Sequence, residues 1–213
     1  MDVFEAIDTL ISIRRIKDTP VEEWKIERIL SAAVKAPSGA NTQPWEFIVV
    51  KDPEVKKRIA EINRRGASIY LEARIVKLEP KRRQYLEDCL QRMHNIPVMI
   101  ILCLNREKKL VSRPKGFEEA SRKMEEIVAY ASVFPAMQNM LLAARALELG
   151  CWITMYHLYF EDEFRHLLNI PNYIEPLAII NIGYPKGRFK PAQRRPYTEV
   201  THRERWEKIC EEE

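Results

Sequence analysis

Residues 127–149 restrict the fold of this chain more than any other stretch. The segment is almost continuously apolar, yet Pro135, Gln138, Asn139, Arg145 and Glu148 interrupt it. A membrane-spanning helix needs roughly 20 consecutive, predominantly apolar residues and seldom carries charge. The stretch therefore reads as a helix buried in a protein core and covered on most sides, with Gly150 ending it where helices take a left-handed cap. Such a helix needs a large surface to pack against. With 213 residues the chain can supply one as a single domain spanning residues 1–213, and no Ser/Gly/Pro-rich linker divides it.

The flanking pattern supplies that cover. Helical spacing predicts helices over residues 3–11, 20–35, 53–62, 117–149 and 161–168, plus two pieces within 68–93 broken at Pro80. Thr19-Pro20-Val21-Glu22 reads as an N-cap, a first-turn proline and a capping-box glutamate. Strands are expected over residues 47–51, 98–105, 151–156 and 176–183. The runs at 98–104 and 177–182 lack clean alternation, which predicts strands buried on both faces. The expected fold is α+β, with helices around one central sheet.

Composition narrows the function classes. The 35 basic and 31 acidic residues are well mixed, and a net charge of +4 gives no reason to expect a nucleic-acid partner. Cys89, Cys103, Cys151 and Cys210 lie far apart and, with four histidines, give no metal-ligand spacing. Reduced thiols predict a cytoplasmic protein. Met1-Asp2-Val3-Phe4-Glu5 shows no basic region followed by an apolar run, so neither a signal peptide nor a membrane partner is expected. No Gly-x-Gly-x-x-Gly is present, so a separate Rossmann nucleotide domain is not expected either.

The candidate ligand site begins where Pro37 stops a helix, since it disfavours helical geometry at Ala36. Ser38-Gly39-Ala40-Asn41-Thr42 leave the backbone little shielded, and Gln43-Pro44-Trp45 lead into the apolar strand. Asn41 and Gln43 carry donor and acceptor together, as does the Ser38 hydroxyl. Gly39 lets the backbone approach a flat ring. Residue types alone leave two readings open: an ordinary helix-to-strand connection, or a platform for a planar heterocycle.

Pro-Ser-x-x-Asn-x-Gln-Pro-Trp followed by Phe-Ile-Val-Val resembles the signature of the nitroreductase family of FMN-dependent oxidoreductases. Leu149-Gly150-Cys151-Trp152-Ile153-Thr154-Met155 is similar to that family's strand facing the reactive flavin nitrogen, and Gly183-Tyr184-Pro185 resembles its turn after the last core strand. The resemblance implies a central, mostly antiparallel sheet surrounded by helices. It also implies an intertwined homodimer in which two subunits complete each flavin site. Pro37, Ser38, Asn41 and Gln43 would contact FMN, as would Thr154 and Met155, with Thr154 able to donate to the reduced ring.

The phosphate of FMN needs cations, and arginine forks suit it. Two clusters qualify: Ser12, Arg14 and Arg15, and the later Arg188, Lys190, Arg194 and Arg195 before Pro196. The family typically shows Arg-Arg-Ser-x-Arg at the first of these. Here Leu10 and Ile11 stand in place of the first two arginines, leaving Arg15, Lys17 or Arg195 as substitutes.

Substrate choice falls to residues 64–95, which match no family pattern and read as a variable helical cap carrying Tyr70, Glu72, Arg74, Lys77 and Lys81-Arg82-Arg83. Residues 36–59 are most similar to the iodotyrosine-deiodinase branch. That branch clamps an amino-acid zwitterion with a Glu one turn before a Tyr; Gly66 precedes Tyr70 here, so the carboxylate is missing. The family implies NAD(P)H as transient co-substrate and a small electron-poor acceptor, a nitroaromatic or a quinone. Reductive dehalogenation, oxygen-dependent flavin cleavage, and a non-catalytic FMN-binding or cofactor-free dimer are the alternatives.

Overall fold

The computed structural model describes residues 1–74, 78–108, 112 and 114–206; Lys77 and Cys210 lie outside them. Helices α1 (Val3–Thr9) and α2 (Glu23–Ala33) precede strand β1 (Trp45–Val50), and α3 (Pro53–Ala73) and α4 (Pro80–Gln91) precede β2 (Val98–Asn105). The long helix α5 (Glu118–Ala146) leads into β3 (Gly150–Thr154), and α6 (Glu161–Leu168) into β4 (Ile174–Gly183). The strands form one sheet in the order β1-β2-β4-β3, and every pair is antiparallel. This is the expected α+β architecture.

β2 and β4 sit in the middle of the sheet, and alternate side chains feed two cores. Ile100, Leu102, Leu104, Ile180 and Ile182 face α2 and α5. Met99, Ile101, Cys103 and Ile179 face Ile59 and Ala67 of α3 and Phe164 of α6. Both faces are covered, which is why these strands lack a polar alternation. Pro176 is tolerated within β4 because the ladder with β2 is irregular there, between Leu102 and Cys103.

Local departures from the sequence reading have physical causes. α2 starts at Glu23, leaving Pro20 outside the helix, because the Glu22 carboxylate is engaged elsewhere: it accepts from the Tyr184 hydroxyl at 2.5 Å. α3 does not break near residue 63. It runs unbroken from an Asp52 cap, whose side chain accepts from Val55 N at 2.9 Å, through Gly66 to Ala73. Gly66 serves close packing: a Cβ there would collide with the Tyr156 carbonyl oxygen. At the end of α5 the left-handed residue is Glu148 (φ 62°). Gly150 instead opens β3, where a Cβ would lie 3.0 Å from the Ile13 side chain. β3 stops at Thr154, and Tyr156–Phe160 form a 3₁₀ turn.

α5 is long and apolar enough by composition to cross a membrane. Here Val133, Ala136, Met140 and Ala144 are buried in the core shared with α2 and the sheet. Met124 and Ile127 near its N-terminal end are exposed, as are Val3, Phe4 and Ile7 of α1.

Candidate functional site

The chain between α1 and α2 runs as an extra strand along the outer edge of β3. Ser12 bridges Cys151 in parallel, and Ile13 N donates to Cys151 O at 2.9 Å. Further on, Lys17 N donates to Tyr184 O at 2.7 Å and Lys186 N to Arg15 O at 2.8 Å. Backbone bonds therefore fix this segment, and its side chains stay available. Ile13 turns inward, while Ser12 and Arg15 are exposed and Arg14 lies 6.0 Å over the Trp152 ring. Arg14 and Arg15 line a cleft of about 200 Å³ together with Arg92 of the α4 terminus and Lys186. Asp18 is the one acidic side chain among its described lining residues. Arg92 and Lys186 were not anticipated from sequence, although Lys186 directly follows the Gly-Tyr-Pro turn. Leu10, in place of a family arginine, packs against the α2–α5 core.

The Pro37–Gln43 loop is held by a different device. Ser38 Oγ accepts from Gln43 N at 3.0 Å, and Gly39 N donates to Ser132 Oγ of α5, also at 3.0 Å. The Ser132 hydroxyl in turn donates to Val128 O at 2.7 Å. Ala40, Asn41 and Gln43 all take positive φ, at 46°, 56° and 48°. Three non-glycine residues in the left-handed region hold backbone strain of the kind that clusters at ligand-binding sites. Gln43 Nε2 donates to Asn41 Oδ1 at 3.2 Å, so the two amides orient each other. Ser132 was likewise not anticipated: nothing marks one serine on a helix face as a loop anchor.

These two regions lie far apart within one chain. The loop enters β1 at Trp45, level with Leu104 and so with Glu175 of β4; Ser12 pairs with Cys151, level with Ile182 of β4. Four lateral strand spacings and seven residues along β4 separate them by on the order of 30 Å. The sheet puts the two walls at diagonally opposite corners, further apart than one flavin mononucleotide reaches.

The profile of the Nitroreductase family matches residues 11–184. The chain belongs to this family. A Methanothermobacter thermautotrophicus protein, provisionally described as an NADH dehydrogenase/NAD(P)H nitroreductase, is 34% identical over 187 residues, covering 87% of this chain and 78% of its own length. Iodotyrosine deiodinase 1 of Rattus norvegicus is 30% identical over 189 residues; these cover 86% of this chain and 62% of the deiodinase. A provisionally assigned nitroreductase from Desulfovibrio desulfuricans, solved in complex with FMN, superposes with a TM-score of 0.69 at 25% identity, covering 97% of this chain and 99% of that one.

Within this nitroreductase fold, β3 places Thr154 and Met155 at the far end of the arginine wall. The Thr154 hydroxyl faces inward and donates to Asn63 Oδ1 at 2.9 Å. In this structure the proton of the expected flavin-ring donor is engaged by Asn63. Met155, just past the end of β3, is exposed. Arg194 and Arg195 are exposed on the C-terminal segment, and the Arg194 guanidinium donates to Gln193 O at 2.8 Å. Neither lines the cleft of Arg14 and Arg15. That segment is pinned further back, where the Arg145 guanidinium stacks 3.9 Å over Phe189.

The thiols near the site are poor nucleophiles. Burial pushes Cys151 up to about 12, and burial also raises Cys89, against the Tyr85 hydroxyl and the Arg14 charge. The donor set fits a phosphate on the chemistry of its groups: three guanidiniums and an ammonium line one cleft. The buried Trp152 Nε1, close by, is without a hydrogen-bond partner among the described residues.

Proposed function

We propose that this protein is an FMN-dependent oxidoreductase that takes hydride equivalents from NAD(P)H and reduces a small electron-poor acceptor of nitroaromatic or quinone type, working as a homodimer. The observation that carries this reading is the paired geometry: a cationic cleft at one corner of the sheet and a strained, ring-sized polar loop at the opposite corner. Ser12, Arg14 and Arg15 hold the phosphate of FMN, with Arg92 and Lys186 compensating for the cations that Leu10 and Ile11 do not supply. Pro37, Ser38, Asn41 and Gln43 of a second copy form the wall against the ring, because those of the same copy lie too far away. Arg194 and Arg195 act from the C-terminal segment at longer range.

Bound there, FMN supplies reversible two-electron chemistry between a nicotinamide and an acceptor. The protein orients and desolvates. The Met155 backbone at the end of β3 presents a donor to the ring edge, and Asn63 fixes Thr154 behind it. α3 and α4 cap the site. Reductive dehalogenation is the second reading, supported by the deiodinase relative. Against it, the collision that a side chain at 66 would make with Tyr156 leaves no room for the carboxylate of a zwitterion clamp.

The test is direct. Protein reconstituted with FMN is yellow, and its visible bands bleach under anaerobic NADH or NADPH and return when 1,4-benzoquinone is added. Protein that takes up no FMN overturns the reading.

A further inference from the structure

One wall of the cationic cleft is built by the short connection between α4 and β2. Arg92, Asn95 and Ile96 of that connection line the cleft, and Met93–Asn95 form a 3₁₀ turn. Asn95 N donates to Arg92 O at 3.1 Å, and Ile96 N donates to Met93 O at the same distance. Bonds in such a turn are poorly aligned and the turn is short. Its place on the protein is set from outside it.

α3 does this at two points. Lys56 Nζ donates to Ile96 O at 2.7 Å and to Pro97 O at 3.3 Å. Asn63 Nδ2 donates to Met93 Sδ at 3.5 Å. Residues seven apart lie two turns along the same face of a helix, so one face of α3 holds both ends of the turn. Met93 is fully buried against it, while Arg92 and Asn95 are exposed on the other side. Pro97 also abuts the opposite wall. A Cβ on Gly183 would collide with the Pro97 ring and with Ile16, which follows Arg14 and Arg15 and lines the cleft with them.

Lys56 is the unusual member of this arrangement. It is only 7% exposed, and lysine is almost never fully buried unless paired. Its hydrogen-bond partners among the described residues are neutral carbonyls. Burial pulls the ammonium below the usual lysine range, opposed by the charge of Asp52. An apolar side chain would pack there without that desolvation, but it would leave two carbonyls unserved. An ammonium has three protons to give and so can satisfy both from one position.

We propose that Lys56 is a positioning residue of the phosphate cleft. By holding the Ile96 and Pro97 carbonyls it sets Arg92 and Asn95 against Arg14 and Arg15, and it thereby determines how strongly the site prefers a phosphorylated flavin to an unphosphorylated one. The proposal rests on the FMN reading above and deepens it. Lys56 itself touches no ligand; its effect passes through Arg92.

The experiment titrates the full chain, freed of flavin, with FMN and with riboflavin, which shares the ring and ribityl chain and lacks the phosphate. The native protein binds FMN at least about a hundredfold tighter, as expected of several charge-assisted contacts. Arg92→Ala weakens FMN about tenfold and Lys56→Met about fivefold, within the range of one charge-assisted bond, while riboflavin changes less than about twofold in both. The double variant loses less than the product of the two single losses, because Lys56 acts through Arg92. Lys57→Met, which removes an exposed neighbour, changes neither ligand. Should Lys56→Met not fold, Lys56→Gln carries the same comparison, since its amide serves the two carbonyls less fully.

Equal losses of FMN and riboflavin in the Lys56 variant show a merely structural role and overturn the proposal. So does a double variant whose loss equals the full product. A native preference for FMN that Arg92→Ala reduces and Lys56→Met leaves intact overturns the proposal alone. A native protein that binds FMN no better than riboflavin strikes the phosphate site itself, and the proposal falls with it.

Discussion

The two walls of the site solve the same problem by opposite means. The loop at Ser38–Gln43 is rigid through its own strain, with three left-handed residues locked by Ser38 and Ser132. The segment at Ser12–Arg15 is relaxed and extended, and β3 and the Tyr184–Lys186 turn grip only its backbone. A ring contact needs a fixed edge with few rotatable bonds, whereas a phosphate contact needs charge delivered by long side chains. The difference teaches how one sheet can carry both halves of the proposed cofactor site at corners that never meet within one copy.

Acid probes the packing behind the turn after β3 and gives the largest expected effect. His157, fully buried in the turn after β3, packs tilted against Phe164 with ring centroids 4.3 Å apart, and neither of its nitrogens has a well-aligned hydrogen bond. Burial pulls it down to about 4, weakly opposed by the Pro176 backbone. The unfolded chain takes up this proton near pH 6.5 and the folded chain only near 4, so stability falls as pH drops between these values. At roughly 1.4 kcal/mol per pH unit the loss totals about 3 kcal/mol. Denaturant melts across this range show the slope in the native chain, and His157→Phe flattens it.

Arg14→Ala strikes the phosphate side next and weakens FMN binding about tenfold to a hundredfold, the value of one charge-assisted bond. Fluorescence titration with FMN reads it. Ser132→Ala acts on the other wall without touching any ligand. It strips the Gly39 N–H of its partner, lowers stability by about 1 kcal/mol, and weakens FMN binding by releasing the loop. Arg194→Ala gives the smallest change, less than about fivefold in FMN affinity, as expected of an exposed cation. If Arg194→Ala exceeds Arg14→Ala, the phosphate lies on the C-terminal segment and the comparison fails.

What the sequence makes legible follows from how local each signal is. The Pro37–Trp45 loop is written in contiguous residues, so its limits and its amides can be read directly. The both-face burial of β2 and β4 shows in their unbroken apolar runs. By contrast, Arg92 and Lys186 join Arg14 only through the tertiary fold, and one arginine at a helix end looks like any other. Thr154 illustrates a different limit: its place on β3 is readable, while the direction of its hydroxyl depends on Asn63 of α3. Gly66 looks like a missing carboxylate in sequence and proves to be a packing contact with Tyr156.

The central claim is that each site takes its phosphate wall from one copy and its ring wall from another. Subunit complementation tests it most directly. Arg14→Ala and Asn41→Ala proteins, each impaired in FMN binding, are mixed in equal amounts, exchanged through a denaturant cycle and titrated with FMN. If the walls come from different copies, half of the dimers are mixed and each of these contains one intact site, so roughly a quarter of all sites recover wild-type affinity. If both walls belong to one copy, no site recovers and the account is contradicted.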